Sequence, residues 1–491
     1  MQMWQLLLGC LLILTTVLGD TDIIVVKGTK FFHSSNGTQF YIKGIVYDEW
    51  TGTGSGLSEV DFLSIRSACE RDVPVFQQLG INTVGLYTVD SFASHDYCMN
   101  LLRDAGIYVV VYLNGVNTAS PDVDYPSWNT DEFATKSAIV DALADYENVI
   151  AFMVFEDYLT DVHAPYGKAK VRDIKAYISA RGYRDIPVGY GMWVSPSSQE
   201  PWYFTCDSEA VETADFFALQ TIDWCGTTLE QSQWDDYLEL LDGYPIPVIM
   251  GEYGCTDNSQ GVALGTEVKL LYGSDMAEIF SGGLLYTYAG SSYGLVNVSD
   301  QDVEKGTVFT SYSSAFAHAS PTSINSASYT PTNTAPSACP TDFAVSSNLP
   351  PAPDAQFCEC ALEHSLCKPD TSLNNTRLDA LFTTLCDDST ELCALHTSNA
   401  TLGVYGAYSM CNRTVEAAAL LSNYTQQEHG DAPEFCTRDW TNATVTANAD
   451  YRPTGTCSTV PISERYSSDS TSSSNGEYTL LSESFCVRFS C

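Results

Sequence analysis

The chain has 491 residues and carries 22 Lys plus Arg against 61 Asp plus Glu, a net charge of −39. That length suffices for a large core and two domains. So acidic a surface repels phosphate backbones and anionic lipid, which argues against nucleic acid as a partner.

Residues 1–19 read as a secretory signal, with the apolar run Leu6–Leu18 and small residues before a cut at Asp20, although no Lys or Arg precedes the run. The competing reading, a membrane anchor, needs about 20 apolar residues. The C-terminal Phe489-Ser490-Cys491 offers no hydrophobic tail to exchange for a glycolipid anchor. Losing Cys10 with the signal leaves 17 − 1 = 16 cysteines, an even number suited to disulfides in an oxidising compartment. Seven Asn-x-Ser/Thr sequons, at Asn36, Asn297, Asn374, Asn399, Asn412, Asn423 and Asn442, fit a secreted glycoprotein.

Strand-like runs follow in order: Ile23–Lys27, Gln39–Val46, Asn82–Tyr87, Ile107–Tyr112, Val149–Phe155, Pro187–Tyr190, Phe216–Ile222, Pro247–Met250 and Gly283–Tyr288. Helix-like stretches such as Cys69–Leu79, Asp96–Ala105, Thr130–Tyr146 and Ala169–Arg181 lie between them. Eight alternations from Gln39 onward predict a (β/α)8 TIM barrel over 20–330. A doubly wound sheet is the alternative, and the lack of a GxGxxG phosphate motif after the first strand weighs against it. Ser, Thr, Asn and Pro dominate 331–353, which reads as a linker. Residues 354–491 hold ten cysteines and read as a disulfide-rich module, with Ser467–Asn475 as a hydrophilic insertion. A zinc site at Cys358-Glu359-Cys360 lacks a second ligand pair, so no metal is expected.

The chemistry is narrowed by what is missing: no HExxH and only scattered histidines. Carboxylates do stand at strand ends, where a barrel keeps its catalytic groups. Glu252 follows the seventh strand, and Glu156-Asp157 the fourth. Two carboxyls about 5 Å apart across a barrel mouth are what a retaining glycosidase uses, one attacking the sugar and one acting as acid and then base. Tyr47, Tyr87, Tyr112, Trp224, Tyr286 and Tyr288 are near strand ends and could stack on sugar rings or simply pack the core.

Gln39-Phe40-Tyr41-Ile42-Lys43-Gly44, Arg184-Asp185-Ile186-Pro187-Val188-Gly189-Tyr190, Asp223-Trp224-Cys225-Gly226, Gly251-Glu252-Tyr253-Gly254-Cys255, Leu271-Tyr272-Gly273-Ser274 and Tyr293-Gly294-Leu295-Val296 resemble the fungal β-1,3-glucanosyltransferases. Phe357-Cys358-Glu359-Cys360 resembles the Cys-rich, mainly helical β-1,3-glucan-binding module that some members carry. The resemblance implies a retaining cell-wall transglycosylase that splits a β-1,3-glucan donor and joins it to an acceptor chain, without cofactor or metal. It implies Glu252 as nucleophile, Asp157 or, with a one-residue shift, Glu156 as acid/base, and Tyr87, Tyr288 and Trp224 as substrate-binding residues. It also implies disulfides Cys69–Cys98, Cys206–Cys339 and Cys225–Cys255, four more among Cys358 to Cys457, and Cys486 with Cys491.

The chain departs from the family where the site should be. Glu156-Asp157 stands for an Asn-Glu pair, Gly85 for an Arg and Ile222 for a Tyr, Met192–Trp202 replaces an acceptor loop containing acids and Arg, and Ala289 replaces an aromatic. A catalytically inactive β-1,3-glucan-binding wall protein on the same fold is therefore the second reading. The resemblance implies a secreted protein of the cell surface or wall.

Overall fold

The structure is a computed structural model that describes residues 21–48, 60–115, 126–156, 160–206, 211–222, 225–255, 264–290, 293–299, 301–333, 338–343, 345–370, 372–388, 392–393, 396–437 and 444–467. The signal segment, Asp157, Trp224, Asn442, nearly all of Ser467–Asn475, Cys486 and Cys491 lie outside the described residues.

Strands β1 (Ile24–Lys27), β2 (Lys30–His33) and β3 (Gln39–Phe40) form a small antiparallel sheet. Then β4 (Ile42–Val46), β5 (Thr83–Leu86), β6 (Tyr108–Tyr112), β7 (Val149–Phe155), β8 (Val188–Trp193), β9 (Phe217–Ile222), β10 (Val248–Gly254) and β11 (Phe280–Leu285) pair in parallel. They close into one barrel, so the (β/α)8 expectation holds. The run expected as one strand from Gln39 is split. Gln39 and Phe40 pair with Phe32 and Phe31, and only from Ile42 does the chain join the barrel.

The strands read as apolar runs because both faces are buried. In β6, Val110 and Tyr112 pack inside with Ile150, Met153, Ala218, Ile249 and Leu284, while Val109 and Val111 face the helix layer. That layer includes α1 (Arg66–Leu79), α2 (Asp96–Asp104), α3 (Thr130–Leu143) and α4 (Ala164–Ala180). Asn129 caps α3 by accepting from the N–H groups of Asp131 and Glu132, and Gly80 ends α1 in the left-handed conformation.

Disulfides join Cys69 to Cys98, Cys206 to Cys339 and Cys225 to Cys255. Segment 345–353 is pinned to the barrel: the Tyr203 hydroxyl donates to the Ser346 carbonyl at 2.9 Å, Arg172 donates to the Pro350 carbonyl at 2.8 Å, and Leu349 joins the core. The module after it is built on the helices Ala355–Glu363, Asn375–Asp388 and Arg413–His429, with Leu378, Leu381, Leu420 and Leu421 in its core. Four bridges staple it, Cys358–Cys411, Cys360–Cys457, Cys367–Cys436 and Cys386–Cys393. Cys360 and Cys457 lie beside His364, but both thiols are spent in their bridge.

Candidate active site

β10 runs further than expected, through Glu252 to Gly254: its register with β9 shifts between Met250 and Glu252, after which Glu252, Tyr253 and Gly254 pair with Gln220, Thr221 and Ile222. This puts a carboxylate on the inner face at the C-terminal end of the barrel, only 1 % exposed. Neutral donors reach it. The Tyr87 hydroxyl donates to Oε1, as does that of Tyr112 at 3.3 Å, and Gln220 Nε2 donates to Oε2 at 3.0 Å. Burial, with the Glu252 charge second, pushes the Tyr87 hydroxyl well above its ordinary range, so it stays a proton donor. Tyr112 also donates to the Gly251 carbonyl at 3.2 Å. The Cys225–Cys255 bridge ties the residue following β10 to the segment after β9 and so pins the strand end from outside.

Gly85 explains part of this arrangement. A Cβ there would meet Leu284 Cδ1 at 2.9 Å and the Tyr112 ring at 3.3 Å. A side chain on Gly85 would need the space into which Tyr112 leans, and Tyr112 is one of the donors to Glu252.

Glu156 is bound elsewhere. Met153 and Phe155 of β7 face the barrel interior, and Glu156 turns the other way, toward α4. Lys170 Nζ donates to Oε1 at 2.7 Å and the Tyr190 hydroxyl to Oε2 at 2.8 Å. Lys170 is shared with Glu132 at 3.2 Å. Burial pushes the Glu156 carboxyl up, but Lys170, Tyr190 and Lys136 together hold it below the ordinary carboxylate range. It is a fixed anion with partners separate from those of Glu252, and a poor source of a proton.

The remaining expected residues divide. Tyr87 touches Glu252. Tyr288, expected to bind substrate, does not line the mouth. It is buried in the layer between barrel and α1, edge-on to Tyr47 and Phe76, and its hydroxyl donates to Asp72 at 2.8 Å. Since β11 ends at Leu285, strand alternation no longer governs position 288. Tyr286, partly exposed and 5.4 Å from the Tyr293 ring, packs against the inner cluster instead. Gln220 and Lys170 were missed as site residues; both are polar partners supplied by other elements, and neither forms a local motif.

A cavity of about 1280 Å³ lies between the barrel and the module, lined by Phe155, Glu156 and Lys170 on one side and Asp379, His396, Arg413 and Glu416 on the other. It does not include Glu252, Tyr87 or Gln220. The chemistry of the site follows the carboxylate and its donors, not this cavity.

The glucanosyltransferase family profile matches residues 14–320, and that of the X8 domain residues 365–440. A 1,3-beta-glucanosyltransferase of Arthroderma benhamiae is 34% identical over 475 residues, 90% of this chain and 86% of that protein. The 1,3-beta-glucanosyltransferase gas1 of Schizosaccharomyces pombe is 32% identical over 414 residues, 81% and 75% of the two chains. Among solved structures, Saccharomyces cerevisiae Gas2p in complex with laminaripentaose is similar with a TM-score of 0.78 at 29% identity, covering 88% of this chain and 99% of that one.

Proposed function

Because this chain belongs to the glucanosyltransferase family, we propose that it is a retaining β-1,3-glucan transglycosylase of the cell surface or wall, with Glu252 as nucleophile and Asp157 as acid/base. The observation that carries the reading is the Glu252 carboxylate at the end of β10, buried and held by Tyr87, Tyr112 and Gln220. In the first step a Glu252 oxygen bonds to the anomeric carbon of the donor, the glycosidic C–O bond breaks, and Asp157 gives its proton to the leaving chain. In the second, Asp157 takes the proton of an acceptor-chain hydroxyl, whose oxygen displaces Glu252 from the anomeric carbon. One bond of each kind is broken and remade, water is not consumed, and the configuration is retained.

The choice of Asp157 over Glu156 rests on the partners of Glu156. A carboxylate clamped by Lys170 and held below its ordinary range does not hand over a proton at neutral pH. The resemblance supports β-1,3-glucan as both donor and acceptor, and the Cys-rich module as a second glucan-binding unit.

Mass spectrometry of laminari-oligosaccharides incubated with the protein tests this. The wild type yields products both longer and shorter than the input. Glu252→Gln and Asp157→Asn lose both, and Glu156→Gln retains the pattern. Unchanged oligosaccharides with the wild type would sink the reading in favour of a glucan-binding protein, and loss in Glu156→Gln of the folded protein would reassign the acid.

A further inference from the structure

Among the described residues, Trp193 is a large aromatic at a strand end that the mechanism leaves unused. Trp193 ends β8 and is 51% exposed, whereas Trp128 and Trp234 are buried. A single exposed apolar residue is ordinary on a protein surface; its placement decides what it means. A Cβ at Gly191 would meet Phe155 at 2.8 Å, Met153 at 2.9 Å and Ala218 at 3.3 Å, all on the barrel's inner side, while Met192 and Val194 belong to the outer layer. Strand alternation therefore turns Trp193 to the inner, mouth-facing side with Gly191.

Register carries the argument to the carboxylate. Trp193 is opposite Gln220, and Gln220 is opposite Glu252, to which it donates a hydrogen bond. The three residues form one row across adjacent strands, with Trp193 two strand spacings, about 10 Å, from the nucleophile's backbone. The platform is also rigid. The buried Tyr237 donates to the Val194 carbonyl at 2.6 Å, and Met192 is buried beneath the strand end.

We propose that the Trp193 indole is a stacking platform for a glucosyl unit of β-1,3-glucan, a subsite beside the bond attacked at Glu252; this rests on the transferase reading above. The C–H face of a glucopyranose is apolar and matches an indole face, whose N–H is left at the edge for water or a sugar hydroxyl. This subsite lies on the strand that leads into Met192–Trp202, a stretch without Asp or Arg.

The test is a calorimetric titration of laminaripentaose into Glu252→Gln, with and without Trp193→Ala, accompanied by tryptophan emission. Trp193→Ala is expected to weaken binding about tenfold. Trp193→Phe keeps a ring and recovers most of the affinity, yet loses the emission change that the sugar induces. Equal affinity in Trp193→Ala, or no binding by Glu252→Gln itself, overturns the proposal. The titration needs no turnover. If wild-type protein redistributes no chains but Trp193-dependent binding persists, the transferase reading falls and the platform stands.

Discussion

Glu252 accepts hydrogen bonds from the hydroxyls of Tyr87 and Tyr112 and from the Gln220 amide. Such donors keep a nucleophile ionised and aimed while leaving it able to form a bond. Tyr87→Phe should lower kcat by roughly 10- to 100-fold with little change in melting temperature, from loss of a hydrogen bond to a charged group; equal rates in initial-rate assays would remove Tyr87 from the mechanism. The position of Glu252 at a strand end was legible because an apolar run stops at it. Its donors were only partly so, since Tyr87 and Tyr112 are single aromatics at strand ends and Gln220 is one amide in β9. The surroundings of Tyr288, whose role was implied by resemblance alone, were not legible: it lies past the end of β11, where the chain carries it out to Asp72.

At the scale of elements, the Glu156–Lys170 pair fastens β7 to α4 and also reaches α3 through Glu132. Lys170→Met leaves a buried carboxylate without its cation and should cost about 3–5 kcal/mol in urea unfolding. Adding Glu156→Gln should recover much of that loss. Equal destabilisation by the single and double variants would show that the pair does not hold the elements together. The eight strands were legible as Val- and Ile-rich runs, because strands buried on both faces must be apolar throughout. Their ends were less so: β10 continues through a glutamate because its neighbour β9 is long enough to pair with it, which is a tertiary fact. Likewise, nothing local in Gln39–Val46 marks where the chain passes from the small antiparallel sheet into the barrel.

The whole molecule joins barrel and module at several points. The Thr130 N–H donates to the Met410 carbonyl at 3.1 Å, Asn412 Nδ2 donates to Asp131 at 3.2 Å, and Tyr466 returns to pack edge-on against Tyr177. Two consequences follow for stability. Burial, helped by the Asp379 charge and opposed by Arg413, pushes the Glu416 carboxyl beside the inter-unit cavity up to about 7. Its raised folded-state value favours the protonated form, so its stabilising contribution is complete below about pH 4.5 and is lost as pH rises through about 7. Glu416→Gln should flatten the fall in melting temperature across that window; an unchanged slope would assign the fall to other groups. The Cys206–Cys339 bridge closes a span of 133 residues. Replacing both cysteines by alanine should cost about 3–5 kcal/mol by restoring freedom to the unfolded chain, read from chemical denaturation. The two-unit organisation was legible in the crowding of cysteines after residue 354. The firm seating of 345–353 was not, because Ser- and Pro-rich composition does not reveal that Tyr203 and Arg172 hold its carbonyls.

The most direct test of the central claim is covalent trapping with a 2-deoxy-2-fluoro laminaribiosyl fluoride, which forms a glycosyl ester faster than the ester breaks down. Peptide mass spectrometry should find the added sugar on the segment containing Glu252, and none in Glu252→Gln. A label on another residue, or chain redistribution by an enzyme that never becomes labelled, would contradict a double displacement through Glu252.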